Sequence, residues 1–500
     1  MFKFITPLYY FVRKNTVQSC VVAALIVVIL VTRFAQFEGN VMFLGDQGRD
    51  ASIVRNLATF ENLPFIGAPS SIGQVYLGPF YYYLIAPFLP LFGWNPMGLA
   101  FGVALFSLIG SFFAVKITVK HFGLAVGMVF LTLIAFSESL INLARFSWNP
   151  NLLPYFSFAT LYFFWAWMKE RSMRNGILFG LFYGLSMQLH YLSVFLIPPF
   201  LIFFVMKLRN TSSMQKRVEL LRKLMFPGGI FLVTMIPLIV FDIRHSFINS
   251  TQLLKLITQG GLSGENTSYV IKLGETIRGL FLTGISLDLS PMMATVLFIV
   301  LVVLTFFVAK RLKSEFFTLH AIVVLTYVLG FAYLGSPRLA HYYVPIYLSF
   351  YLVIATLPSL IMQKYVRGFT TVAVLGLIVG LTIPHYQFLS AQPNNQIDIA
   401  REFADSFQPY ITKNSRIQIV TVPYTESHGH YRYFLEVAGN TLIAEDSSEQ
   451  ADELFVMCFQ ECIPQDDPQW QIAAFTNKQV VEHWEVRNVT IYKIVHGPTQ

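Results

Sequence analysis

"PFYYYLIAPFLPLFGW", Pro79 to Trp94, is the stretch on which the topology turns. It is apolar and aromatic, but it is short, and Pro87 and Pro90 interrupt it. A helix needs about 20 apolar residues to cross a bilayer. Proline removes a backbone donor and breaks a helix interior. The segment therefore reads as a re-entrant or interfacial helix that does not cross. Were it to cross, every later loop would change side, and the densest basic cluster would lie outside.

The surrounding sequence shows that there is a membrane to cross. The chain has 500 residues, 55% hydrophobic and 16% aromatic, and only 12% are charged. A soluble chain carries roughly twice that charged fraction. Long apolar runs recur from Val17 to His385, so the chain is a polytopic membrane protein. The net charge of +8 lies in short clusters between apolar runs. That distribution serves membrane orientation and gives no reason to expect nucleic acid. No cleavage site follows the first run, Val17 to Thr32, so it reads as an uncleaved helix. Of three cysteines, Cys20 lies in this run. Cys458 and Cys462 have no zinc pattern. On a helix their four-residue spacing is coincidental, while outside the cytoplasm it permits a disulfide.

The basic clusters are Lys3/Arg13/Lys14, Lys116/Lys120, Lys169/Arg171/Arg174, six residues from Lys207 to Lys223, Lys310/Arg311/Lys313 and Lys364/Arg367. With all of them inside, the spans fall at about 17–36, 97–115, 122–138, 151–168, 175–190, 191–206, 224–241, 292–309, 316–334, 342–362 and 369–386. That gives about eleven crossings, an inside N-terminus and an outside C-terminus. The tail from Gln387 differs from the rest. It holds 15 of the 27 acidic residues. It mixes a helix-like segment, "IDIAREFADSFQPYI", with strand-like ones, "RIQIVTV", "ELFVMCF" and "VTIYKIV". The expected organisation is an all-α membrane domain, 1–386, followed by a small extracytoplasmic α/β domain, 387–500.

Chemistry gathers in the outside loops. "FLGDQGRDASIVRNL", Phe43 to Leu57, follows the first span. On a helix starting near Asp46, Asp46 and Asp50 share a face, and Arg49 and Arg55 come from others. Gly45 and Gly48 permit a tight entry. The plainer reading makes Asp46 a helix cap and pairs Asp50 with an arginine. That reading is the stronger one for Asp50. For Asp46 it is weaker, because four charges beside a membrane exit are unusual in so charge-poor a chain. "ARFSWNPN" offers Arg145, Trp148 and Asn149, which serve equally as an interfacial anchor and a turn. "GSPRLAHYYVPIY" offers Arg338, His341, Tyr342 and Tyr343. Arg338 and His341 are three apart and suit one anionic group, or else an aromatic belt with a snorkelling arginine. "GAPSSIGQVYLGPFYYY", with Tyr76 and Tyr81, suits a sugar, a lipid headgroup or a membrane-surface loop. His190 and Tyr191 fit a helix hairpin. A carboxylate that takes a proton and arginines that hold a phosphate together suit transfer of a group from a lipid phosphate.

These motifs resemble those of the C-type (GT-C) membrane glycosyltransferases. The resemblance rests on the uncleaved first helix, the acidic motif with its arginine, "GPFYYYLIAP", "LARFSWNP" and "RLAHYYVPIY", and covers about Val17 to His385. It is strongest to the dolichyl-phosphate-mannose protein mannosyltransferases of family 39, and the lipid A aminoarabinose transferases are similar. It implies a D-E-x-R-Y-A-like motif whose first aspartate, the catalytic carboxylate, falls on Asp46, with Arg49 on the motif arginine. Gln47 stands where the family has glutamate and Asp50 where it has an aromatic, so a divalent metal is left open. The seven spans before Asp242 agree with the family's core. The implied donor is a sugar on polyprenyl phosphate, and the reaction inverts the anomeric centre.

The resulting expectation is a plasma-membrane glycosyltransferase that moves a sugar to a hydroxyl of a protein, lipid or glycan acceptor. Asp46 and Asp50 are the catalytic candidates. Arg49, Arg55, Tyr76, Tyr81, Arg145, Asn149, His190, Arg338, His341 and Tyr342 are the substrate-binding ones. A transporter or flippase of lipid-linked sugars is the first rival. It would carry ionisable groups at the midplane of broken helices, whereas here the acids before Gln387 fall in loops or at span ends. A non-catalytic receptor is the second, and it leaves the charged loops unexplained.

Overall fold

The computed structural model describes residues 16–70, 75–259, 268–334, 338–445 and 447–498. The basic residues Lys3, Arg13 and Lys14, the stretch 71–74 of the tyrosine-rich loop and residues 335–337 lie outside them. The chain packs as two units. One comprises residues up to Ala35, Phe65–Tyr81 and Val103–Ala391. The other comprises Gln36–Pro64, Tyr82–Gly102 and Gln392–Gln500. The C-terminal domain expected from 387 onward is thus joined in its unit by two segments from the first outside loop.

The first unit is helical. Each expected span coincides with a helix, and among the described residues six helices are long and apolar enough to cross a membrane unaided. Their outward faces stay apolar. Leu232, Val233, Ile236 and Ile243 of helix Met225–Arg244 are all exposed. Lipid solvates such a surface, and water does not. The stretch Phe80–Leu91 is helical in two pieces, Phe80–Ile85 and Phe88–Leu91. Twelve residues rise only about 18 Å, well short of the roughly 30 Å hydrocarbon core. The broken segment is therefore too short to cross.

Close helix packing in this unit uses small residues. Gly176, Gly180 and Gly184 line one face of helix Met173–Leu189. A Cβ on Gly180 would come within 2.3 Å of the Pro227 carbonyl oxygen. The glycines let the backbones of Met173–Leu189 and Met225–Arg244 approach. Buried tyrosines are tied off, as a low-dielectric interior demands. The Tyr343 hydroxyl donates to the Thr276 carbonyl at 2.9 Å, and that of Tyr351 to Gly284 at 2.7 Å. The expected outside loop after Asp242 is itself mostly helical, with Ile248–Gln259 and Tyr269–Ile285.

In the second unit the C-terminal residues form an α/β fold. Its five strands are β1 (Arg416–Val422), β2 (Thr441–Leu442), β3 (Glu453–Cys458), β4 (Lys478–Val486) and β5 (Val489–His496), ordered β2-β1-β3-β5-β4. β1 runs parallel to β2 and β3, and β5 runs antiparallel to β3 and β4. The central β3 is buried along its whole length. Cys458 ends this strand and is disulfide-bonded to Cys462. The helical spacing that made the pair look coincidental does not apply, because the chain turns out of a strand there.

Candidate active site

Helix Gly45–Ala58 carries the acidic motif. Its N-cap is Leu44, so the expected capping role of Asp46 is not realised. Gln47 reaches back instead, and its side-chain oxygen accepts from the Leu44 backbone N–H at 3.1 Å. Asp46 is left in the first turn, where a carboxylate favours the positive end of the helix. It is exposed, with 58% of its side chain accessible, whereas Asp50 is at 0%.

Arg49 bridges the two acids and does not, as expected, face away from them. Its Nη1 donates to Asp46 Oδ1 at 2.9 Å. Its Nε and Nη2 donate to Asp50 Oδ1 at 3.1 and 2.8 Å. The hydroxyl of Tyr82 donates to the same oxygen at 2.8 Å. Asp50 Oδ1 thus takes three hydrogen bonds, while Oδ2 is buried with no partner among the described residues. Burial pushes the Asp50 carboxyl above the usual range, against the pull of Arg49 and Tyr82. Burial lowers Arg49, but the adjoining acids more than reverse this and hold its proton firmly. The result is a fixed guanidinium that orients one exposed carboxylate and one buried one. Tyr82 was not singled out in the sequence. Only its helical phase, one residue beyond Tyr81 in a run of three tyrosines, distinguishes it.

The motif glycines allow close helix packing. Helix Gly45–Ala58 packs on helix Gly429–Val437 of the same unit. A Cβ on Gly48 would lie 2.3 Å from the His430 backbone nitrogen and 2.4 Å from the Gly429 carbonyl carbon. A Cβ on Gly45 would strike the Ser427 side chain. Phe43 adds edge contacts to His430, Tyr433 and Phe434. The C-terminal residues therefore hold the helix that carries Asp46. Arg55 stands apart from this cluster. Its Nη1 contacts Asn56 at 3.2 Å and Glu61 at 3.6 Å.

In the membrane unit, three loops meet around His341. Its ring lies 4.8 Å from Trp148, 4.0 Å from Tyr342 and 6.4 Å from His190. Burial lowers the His341 pKa to about 4, so at neutral pH it is a neutral hydrogen-bonding group. Arg338 makes other contacts. The guanidinium lies 4.7 Å over the Phe331 ring and donates to the Leu334 carbonyl at 3.0 Å. Asn149 is fully buried, and neither of its side-chain amide atoms has a partner among the described residues. Nearby in sequence, the Ser147 hydroxyl is hydrogen-bonded to that of Tyr81 at 2.7 Å.

Other candidates turn out to serve the scaffold. Both terminal nitrogens of Arg145 donate to the end of the first helix, at the Thr32 and Ala35 carbonyls, each at 2.9 Å. That satisfies carbonyls left without partners at the helix end. His190 accepts the Leu192 N–H on Nδ1 at 3.2 Å and caps the turn between two helices. The backbone of Tyr76 is held by the Asn249 side chain, and its ring packs on Phe241. Among the described residues no three His, Cys, Asp or Glu side chains gather as a metal-binding group.

Comparison with known proteins bears on this architecture. Residues 77–241 match the profile of the dolichyl-phosphate-mannose-protein mannosyltransferase family. Two crystal structures of ArnT from Cupriavidus metallidurans superpose on the chain, each covering 96% of it and 99% of their own length at 13% identity. The TM-score is 0.64 for the form bound to undecaprenyl phosphate and 0.60 for the apo form. The fold is that of a C-type membrane glycosyltransferase. The resemblance read from the sequence is borne out, and the C-type fold agrees with a multi-pass membrane protein that carries a small sheet domain. No curated protein matches the chain by sequence.

Proposed function

We propose that the chain is a glycosyltransferase that moves a sugar from a polyprenyl-phosphate donor to an acceptor hydroxyl. The observation that supports this most is the arginine-bridged Asp46–Arg49–Asp50 cluster, set in a C-type fold whose relative ArnT was crystallised with undecaprenyl phosphate. Asp46 takes the proton of the acceptor hydroxyl. The hydroxyl oxygen attacks the anomeric carbon, the carbon–oxygen bond to the phosphate breaks, and its electron pair leaves with the phosphate. Attack from the face opposite the leaving group inverts the centre. Asp50 and Tyr82 act through Arg49 as positioning groups.

Arg338 and His341 are assigned to the donor phosphate on the chemistry of their own loops. Arg338 supplies charge, and neutral His341 supplies an N–H. Asn149, whose amide has no partner among the described residues, suits a sugar hydroxyl or phosphate oxygen. A hydrogen bond to a charged group is worth roughly 1.5–3 kcal/mol, so Arg338→Ala and His341→Ala should each raise the donor KM by about 10- to 100-fold. Steady-state kinetics at saturating acceptor tests this, with folded variants at equal amounts. An unchanged donor KM in the double variant moves the phosphate site elsewhere.

The reaction is placed on the extracytoplasmic face of the plasma membrane, with the N-terminus cytoplasmic. The Cys458–Cys462 disulfide supports an oxidising compartment for the C-terminal residues. An alkaline-phosphatase fusion after Gln392 should be active. Activity there from a cytoplasmic reporter alone contradicts the orientation.

A further inference from the structure

The membrane unit holds a polar cavity built from helix ends that the positive-inside pattern assigns to the cytoplasmic side. Its volume is about 500 Å³. Arg171, Lys207, Lys216 and Lys313 line it, with Glu315 as the one lining carboxylate. Arg171 and Lys313 are left-handed residues that each follow the last turn of a helix, Leu153–Glu170 and Pro291–Leu312. Lys207 lies in the last turn of Ile197–Arg209. Basic residues at helix C-termini are ordinary, but four from separate elements around one cavity are more than the helix ends require. Among the described residues none of the four lies within salt-bridge distance of a carboxylate, Glu219 acts on Arg171 and Lys216 only through space, and Lys169 adds a fifth cation 5.0 Å over the Trp165 ring.

Four cations from separate elements with a single lining carboxylate favour an anionic ligand. The lining also includes the apolar side chains of Phe164, Trp165, Met168, Phe203 and Met206. The apolar lining also continues outward. Leu201, Val205 and Met206 of helix Ile197–Arg209 are exposed on the surface that lipid covers.

We propose that this cavity binds the phosphate of an anionic phospholipid headgroup, whose acyl chain lies along the exposed face of Ile197–Arg209. Arginine and lysine hold a phosphate diester by charge-assisted hydrogen bonds, and basic pockets between membrane helices are a general way to recognise such lipids.

The test uses the purified, delipidated full chain in neutral detergent, with binding read by native mass spectrometry. The probes are phosphatidylglycerol, phosphatidylcholine and glycerol 3-phosphate. Phosphatidylglycerol should bind at least about tenfold more tightly than phosphatidylcholine, given the strength of hydrogen bonds to charged groups. Lys207→Gln with Lys313→Gln should abolish that preference. Arg174→Gln with Arg222→Gln, which removes the same charge outside the cavity lining, should retain it. Glycerol 3-phosphate binding as tightly as the lipid also supports the phosphate site and assigns it to a soluble ester. Equal loss in both double variants, or no preference for either phosphate over phosphatidylcholine, overturns the proposal. A photo-reactive phosphatidylglycerol on the unaltered chain provides a test independent of variant folding. It should label peptides within Phe203–Lys216 or Lys313–Thr318, and labelling confined to other regions overturns the site.

Discussion

Asp46→Asn is expected to lower sugar transfer by about 10²–10⁴-fold, the usual loss when a general base is removed. The substitution keeps the size of the side chain and leaves an oxygen to accept from Arg49 Nη1, so the helix and its clamp stay in place. Asp46 is accessible enough to meet an acceptor hydroxyl, and Arg49 fixes its direction. Asp50→Asn should cost less, since its amide oxygen still accepts from Arg49 and Tyr82. The comparison is made at equal amounts of membrane-inserted protein. Near-normal turnover by Asp46→Asn overturns the assignment. An inactive Asp50→Asn beside an active Asp46→Asn transfers the role to Asp50, whose Oδ2 has no partner among the described residues.

The second large effect lies in the glycines that seat the helix. Gly48→Ala places a methyl group against backbone atoms of Gly429 and His430, which cannot rotate away. The two helices must separate, at a packing cost of about 1–3 kcal/mol. A misplacement near 1 Å costs on the order of 10² in rate, so activity should fall by about that factor while the chain still inserts. Gly45→Ala meets the Ser427 side chain instead. The double variant Gly45→Ala/Ser427→Gly should therefore recover activity that Gly45→Ala loses, whereas no side-chain deletion should rescue Gly48→Ala. Normal turnover by Gly48→Ala, or no rescue by Ser427→Gly, contradicts the view that the C-terminal residues hold the catalytic helix.

The contrast between these two sites shows what the sequence discloses. Asp46 could be singled out as a candidate because its signal is local: a carboxylate, an arginine and glycines just beyond a membrane exit. The apolar runs and basic clusters were legible for the same reason, and so was β1, whose strand-like segment covers Arg416–Val422 as observed. The partners of Gly48 lie almost four hundred positions along the chain, and a single sequence offers no signal for such a contact. Arg145 had the composition of an anion-binding residue. Its commitment to the end of the first helix depends on where two distant segments meet. The cysteine pair failed on a local assumption, a helical period imposed on a strand end. The buried state of Asp50 was partly legible, since pairing to an arginine was its plainer reading, but the hydroxyl of Tyr82 was not.

The central claim is that this C-type fold transfers sugar from polyprenyl phosphate with Asp46 as base. The most direct measurement incubates the purified full chain with a panel of polyprenyl-phosphate-linked sugars and acceptor-containing membrane extract, and follows release of free polyprenyl phosphate. The account predicts release from at least one donor by the unaltered chain, with Asp46→Asn reduced by about 10²–10⁴-fold on the same donor. Release that is equal in the two proteins, or donor that is moved across vesicle membranes with its sugar–phosphate bond intact, would contradict it.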